Sequence, residues 1–167
     1  VCNGDGSACG LYDVEGNFYS FIEIGDQTWL DKNLNTTKYN NGDDIELVSS
    51  GSWVNMNYGG YSYYNNSPSN SDAGSYGVLY NGYVVSDERG VCPEGSHIPI
   101  KEEFTLLVQY LGDNAGGKLK AGGFSYWNSP NTGANNETGF DARGAGWRHG
   151  STGVYTNIMY NTYYWTS

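Results

Sequence analysis

The sequence predicts an α+β domain with small antiparallel or mixed sheets, one main helix near residues 99–112, and long loops. Three observations carry this reading. Only "PIKEEFTLLVQYLG" has helical periodicity, several short runs alternate apolar with polar residues, and the composition is that of turns. In the helix, Phe104, Leu107, Val108 and Leu111 recur at i, i+3, i+4 and i+7, an apolar stripe on one face. Pro99 suits the first helical position, Glu102 and Glu103 place negative charge on the positive end of the dipole, and Gly112 suits the stop. No second helix is legible, so the stripe is expected to pack on a sheet.

The strands follow in order. "GNFYSFIEIGDQTWL" alternates, with Phe18, Ser20, Ile22 and Ile24 on one side and Tyr19, Phe21 and Glu23 on the other. It reads as a strand or hairpin ending at Gly25-Asp26. "TTKYNNGDDIELV" gives a turn at Asn41-Gly42 and then a short strand. Residues 50–78 are polar, Gly-rich and aromatic-studded, a long structured loop or the least ordered part. "VLYNGYVV" reads as a strand and "AGGKLKAGG" as a Gly-bounded connection. "GVYTNIMYNTYYWTS" alternates to the end, with Tyr155, Asn157, Met159, Asn161 and Tyr163 on one face.

Composition bounds the function. The chain has 167 residues, 25 Gly and 16 Tyr, with 16% charged residues and a net charge of −10. Scattered Lys and Arg in so acidic a chain argue against nucleic acid. No apolar stretch is long enough for a membrane helix. Abundant Tyr, Asn, Ser and Gly suit surfaces that bind by contact rather than charge. Val1 is not an initiator Met and no signal-peptide pattern is visible, which reads as a processed or trimmed chain.

Several long motifs stand in a fixed order: "IGDQTWLDKNLNTTKYNNGDDI", "GVLYNGYVVSDERGVCPEGSHIPIKEEF", "AGGKLKAGG", "WNSPNTGANNETGFDARGAGWR" and "YYWTS". Together they resemble the Fibrobacter succinogenes major paralogous domain, found in secreted and surface proteins of Bacteroidetes-like bacteria. "HIPIKEEF" also resembles the helix-opening motif of formylglycine-generating-enzyme-like domains. Both resemblances imply a C-type-lectin-like fold over residues 11–167, preceded by a Cys-bounded turn segment at 1–10. The family has Trp where Gly82 and Ser96 stand here, and it continues past "WTS" to a late Cys. The resemblance therefore implies a domain lacking its last strands, with Cys92 unpaired or paired outside this chain. Cys2 and Cys9 bound a turn-rich loop, and the secretion of the family favours a disulfide between them over free thiols.

Candidate sites are few. Asn3, Asp5 and Ser7 have the oxygen-ligand spacing of a calcium loop, but position 12 is Val14 rather than Glu. A disulfide-bounded turn is the favoured reading, and calcium is the one cofactor the sequence admits. Asn135, Asn136, Glu137 and Asp141 mix amides and carboxylates, and read as a loop braced by side-chain-to-backbone bonds. His97 is expected to be a buried hydrogen-bonding residue and His149 a surface contact. No nucleophile–base arrangement emerges, and no Cys follows Cys92 to supply the reactive pair of the oxidase, so the chain reads as a non-enzyme. The remaining candidate is the aromatic and amide-rich end: Trp147, Arg148, His149, Tyr155, Asn157, Asn161 and Tyr163. Rigid aromatics with neighbouring amides suit sugar rings or protein surfaces. Arg148 and His149 would favour an acidic sugar or carboxylate.

The expected function is thus a secreted or surface-displayed binding or adhesion module for a glycan or protein. The alternative is a structural subunit of an extracellular assembly, its open sheet edge filled by another copy or another subunit.

Overall fold

The computed structural model describes residues 9–49, 51, 53–68 and 76–167. Among these the chain is mixed α+β, with three small sheets and three short helices. The first sheet is an antiparallel meander of β1 (Gly10–Tyr12), β2 (Phe18–Ile24) and β3 (Gln27–Leu30). The β2–β3 turn falls at Gly25-Asp26, as the alternation predicts, and Gly25 takes φ 62° there. The β1–β2 turn is organised by Asp13. Its Oδ1 accepts from the backbone N–H of Glu15 (3.0 Å) and Asn17 (2.9 Å), and its Oδ2 from the Tyr19 hydroxyl (2.8 Å). Tyr19 is wholly buried, whereas Phe21 and Glu23 on the same face of β2 are exposed, so that face is covered only at its start.

The second sheet joins β4 (Glu46–Leu47), β5 (Gly60–Ser62) and β6 (Leu79–Tyr80), parallel and then antiparallel. Its middle strand lies inside the 50–78 stretch that reads as a loop, and all three of its residues are buried. The expected strand "VLYNGYVV" is corrected: after β6 the chain turns at once into helix α1 (Gly82–Val85). Asn81 decides this, its Oδ1 accepting from the Val84 N–H at 3.3 Å as an N-cap does. The same oxygen takes the Gly60 N–H at 3.1 Å and ties α1 to β5.

The main helix, α2, spans Lys101–Leu111. Pro99 stands just before the cap residue Ile100, near the first helical position, and Glu103 reaches back to accept from the Ile100 N–H at 2.8 Å. Gly112 ends it at φ 64°. Leu107 and Leu111 are buried against Ile24 of β2, Ala115, Phe140 and Ala142, with Phe104, Ile22 and Trp29 packed at the margin. Val108 leaves the expected stripe and is 50% exposed. At 3.6 residues per turn it lies about 80° round from the line of Leu107 and Leu111, beyond the width the sheet covers. The connection "AGGKLKAGG" is also corrected, since it contains helix α3 (Ala115–Leu119).

A second core gathers Tyr39, Ile45, Tyr61, Val78, Val84 and Val91, with Cys92 and Ile98 at its edge. The last sheet is the hairpin of β7 (Ala145–Arg148) and β8 (Tyr155–Ile158). Here the expected alternation stops early. Asn157 and Met159 take φ 64° and 61°, and the Asn157 carbonyl accepts from the N–H of Tyr160 and Asn161. The face shared by Tyr155, Asn157, Met159, Asn161 and Tyr163 therefore does not exist. No helix of the described residues is long and apolar enough to cross a membrane.

Candidate functional site

An open cleft of about 1750 Å³ runs between the two cores. Its walls come from β3, β6, α1, the loop before α2, β7 and the final residues of the chain. Aromatic rings dominate the lining: Trp29, Trp53, Tyr80, Trp147, Tyr163 and Trp165.

The final residues bridge the cores. The Tyr164 ring packs on Phe104 (6.0 Å) and Phe140 (5.8 Å) of the first. Trp165 donates its indole N–H to the Tyr80 carbonyl at 3.1 Å and lies over Gly82, 3.6 Å from where a Cβ would stand. Ser167 then bonds through its N–H to the Pro99 carbonyl (3.1 Å) and through its hydroxyl to that of Ile98 (3.0 Å).

The seven residues singled out in the sequence divide. Trp147, Arg148 and Tyr163 line the cleft, whereas His149, Tyr155, Asn157 and Asn161 do not. The Trp147 ring lies 6.2 Å from that of Tyr163, which is 61% exposed. The indole N–H groups of Trp147 and Trp53 are buried without a hydrogen-bond partner among the described residues. Arg148 is corrected as a ligand donor. It is 6% exposed, and its guanidinium donates to the carbonyls of Val48 (2.6 Å), Gly51 (2.8 Å) and Gly153 (3.3 Å). The rings of Trp53 and Tyr155 flank it at 4.8 and 5.2 Å. Desolvation lowers its pKa, and its donors are spent on backbone. It pins the hairpin to the 48–53 loop instead of facing an anion.

Tyr155 and His149 make contacts within the fold, whereas the side chains of Asn157 and Asn161 are exposed. The Tyr155 hydroxyl donates to Asn66 Oδ1 at 2.8 Å, and its ring meets Tyr64. His149 Nδ1 lies 3.0 Å from the Ser151 hydroxyl. Asn157 shapes the turn through its backbone, and the Asn161 carbonyl takes the Gly146 N–H at 2.9 Å. His97 is not buried: its side chain is 69% exposed and its Nε2 meets the Glu103 carboxylate at 2.9 Å. Burial pushes the Cys92 thiol up to about 11, which suppresses the nucleophilic thiolate at neutral pH.

In the 134–141 loop, Asn136 Oδ1 accepts from the Asp141 N–H (2.9 Å) and Asn135 Oδ1 from the Glu137 N–H (3.2 Å), the bracing expected of it. Among the described residues no three His, Cys, Asp or Glu side chains converge to hold a metal. Asn3, Asp5, Ser7 and Cys2 lie outside the described residues. Cys9 is disulfide-bonded, and Cys92 is free.

Sequence reasoning missed most of the cleft wall because its residues come from β3, β6 and the chain's last turnless stretch, far apart in sequence. The signal available was the set of Trp residues, which concentrate there. Searches of the curated proteins and of the solved structures return no match. A family model does match, over residues 22–167. The chain belongs to the family of the Fibrobacter succinogenes major domain.

Proposed function

We propose that this domain is a binding module of a secreted or surface-displayed bacterial protein, holding a glycan or protein ligand in the aromatic cleft. The same proposal takes the arrangement of small sheets around one main helix as C-type-lectin-like. The observation that carries it is the cleft itself. Its volume of about 1750 Å³ exceeds the ~300–1,000 Å³ of pockets that enclose a small molecule, so an extended ligand suits it. Its aromatic walls offer stacking area with little side-chain entropy to lose.

Binding is favoured over catalysis because three of the polar groups of the cleft already serve the fold. Glu103 caps α2, Arg148 pins the hairpin, and the Cys92 thiol stays protonated. The test screens the folded domain on a glycan array and against a peptide library, in parallel with Trp147→Ala and Tyr163→Ala. Loss of the hits with unchanged melting temperature supports the cleft. Hits that both variants retain place the site elsewhere, and an absence of hits on both screens defeats the binding reading.

A further inference from the structure

Three sheets each present an end strand to the cleft: β3, β6 and β7 all have a single sheet neighbour beside their cleft-lining residues. Two of these edges are engaged by the chain's own tail. Gly146 of β7 donates its N–H to the Asn161 carbonyl, and the Tyr80 carbonyl of β6 accepts the Trp165 indole. Among the described residues the β3 edge is bare.

Its register shows which groups are open. Ile24 pairs with Gln27 across the two-residue turn, Ile22 with Trp29, and the Asp31 N–H donates to the Ser20 carbonyl. Those pairs exchange the ladder bonds with β2. Thr28 and Leu30 occupy the alternate positions, so their N–H and C=O groups point away from β2. Among the described residues none of these four groups has a backbone or side-chain partner. They repeat every second residue, about 6.6 Å apart, the spacing at which another strand offers its own donors and acceptors. Edge strands are ordinarily guarded by Lys, Pro or a bulge, and "QTWL" has none of these.

We propose that β3 is a docking rail for an extended, neutral-to-basic polypeptide segment of another chain, which pairs backbone to backbone with Thr28 and Leu30 and lays alternate side chains into the aromatic cleft. The proposal rests on the binding reading above and narrows its ligand to a polypeptide. The charge of the partner follows from the rim. Asp26 and Glu23, whose carboxylate accepts from the Thr28 hydroxyl, stand at the turn end of the rail, and Lys32 stands past its other end; among the described residues none of the three is in an ion pair, so Lys or Arg on the incoming strand would find a carboxylate at the turn end. At that end an acidic segment would meet repulsion. Strand addition of this kind takes affinity from the main chain and specificity from the pockets for alternate side chains.

The experiment selects binders to the full chain from a randomised linear peptide library and resynthesises the best with N-methyl groups at alternate amides, in each of the two registers. Pairing with β3 requires one register to lose about tenfold or more in affinity, the effect of a net backbone hydrogen bond or two, while the other register is nearly unaffected. In the protein, Thr28→Pro removes the outward N–H and leaves the β2 ladder donors in place. It should weaken the same peptide comparably, with the melting temperature within a few degrees.

Equal sensitivity of both registers, or of neither, overturns the rail while leaving a cleft that binds peptides. Glycan hits without peptide hits also overturn it, and the binding reading then survives. Should Thr28→Pro fail to fold, the N-methyl comparison decides alone.

Discussion

Replacing Arg148 by Ala separates a structural pin from a ligand contact. The guanidinium makes two short bonds, to Val48 and Gly51, and a third at 3.3 Å to Gly153 that counts for little. Hydrogen bonds to a charged group contribute about 1.5–3 kcal/mol each, so the two short ones give a gross loss of about 3–6 kcal/mol. The stacking against Trp53 and Tyr155 adds about 0.5–2 kcal/mol. Against this stand relief from burying a cation with no carboxylate paired to it among the described residues, and water that can reach the freed carbonyls. The expected net loss is about 2–4 kcal/mol. Urea unfolding followed by tryptophan fluorescence measures it, with the midpoint falling and the slope unchanged. For a chain of this size each kcal/mol also lowers the melting temperature by about 2–4 °C. Arg148→Lys should recover only part, because an ammonium cannot fork between two carbonyls. A loss under about 0.5 kcal/mol would be that of an ordinary surface change, and the pin would be refuted.

Other outcomes follow from the same geometry. Leu107→Ala, at a wholly buried site under α2, should cost about 2–5 kcal/mol, whereas Val108→Ala at its exposed neighbour should stay within about 0.5 kcal/mol; comparable losses from the two would reject the helix orientation. Glu103→Ala removes the acceptor for the Ile100 N–H and should cost about 1 kcal/mol, read by thermal unfolding, with Glu103→Gln recovering most of it. Its carboxylate pKa is lowered, chiefly by that backbone bond, so its share of stability is present above the ordinary Glu range and fades as pH falls through the depressed value. Cys92 should alkylate slowly at pH 8 and faster as pH approaches its raised value of about 11, and rapid labelling at neutral pH would contradict its burial. Non-reducing peptide mapping should find the Cys2 and Cys9 peptides linked.

Local periodicity made α2 and the β2–β3 hairpin legible, because both patterns are complete within a dozen residues or so. The width of the helix stripe was not, since Val108 is excluded by how far the sheet extends rather than by its own chemistry. "VLYNGYVV" misleads for a related reason: its β-branched residues favour a strand, and the side chain of Asn81 overrides them by capping a helix. Arg148 shows the same limit in the site. An isolated cation among aromatics reads as a free donor, and the two acceptors of its short bonds, Val48 and Gly51, lie in a segment that only the fold brings near. The cleft was legible only in part, through Trp147 and Tyr163, because the opposite wall belongs to β3 and β6.

Tyr164 and Trp165 are neighbours in sequence and serve different cores. One peptide bond thus couples the α2 layer to the β6–α1 layer, and the distance between those layers is the width of the cleft. Any ligand that spreads the walls must draw one of the two rings from its seat, so the tail acts as a spring that resists opening. Shortening either side chain would slacken that spring without touching the wall on the β3 side. Both rings also line the cleft, so the residues that hold its walls together form part of its surface as well.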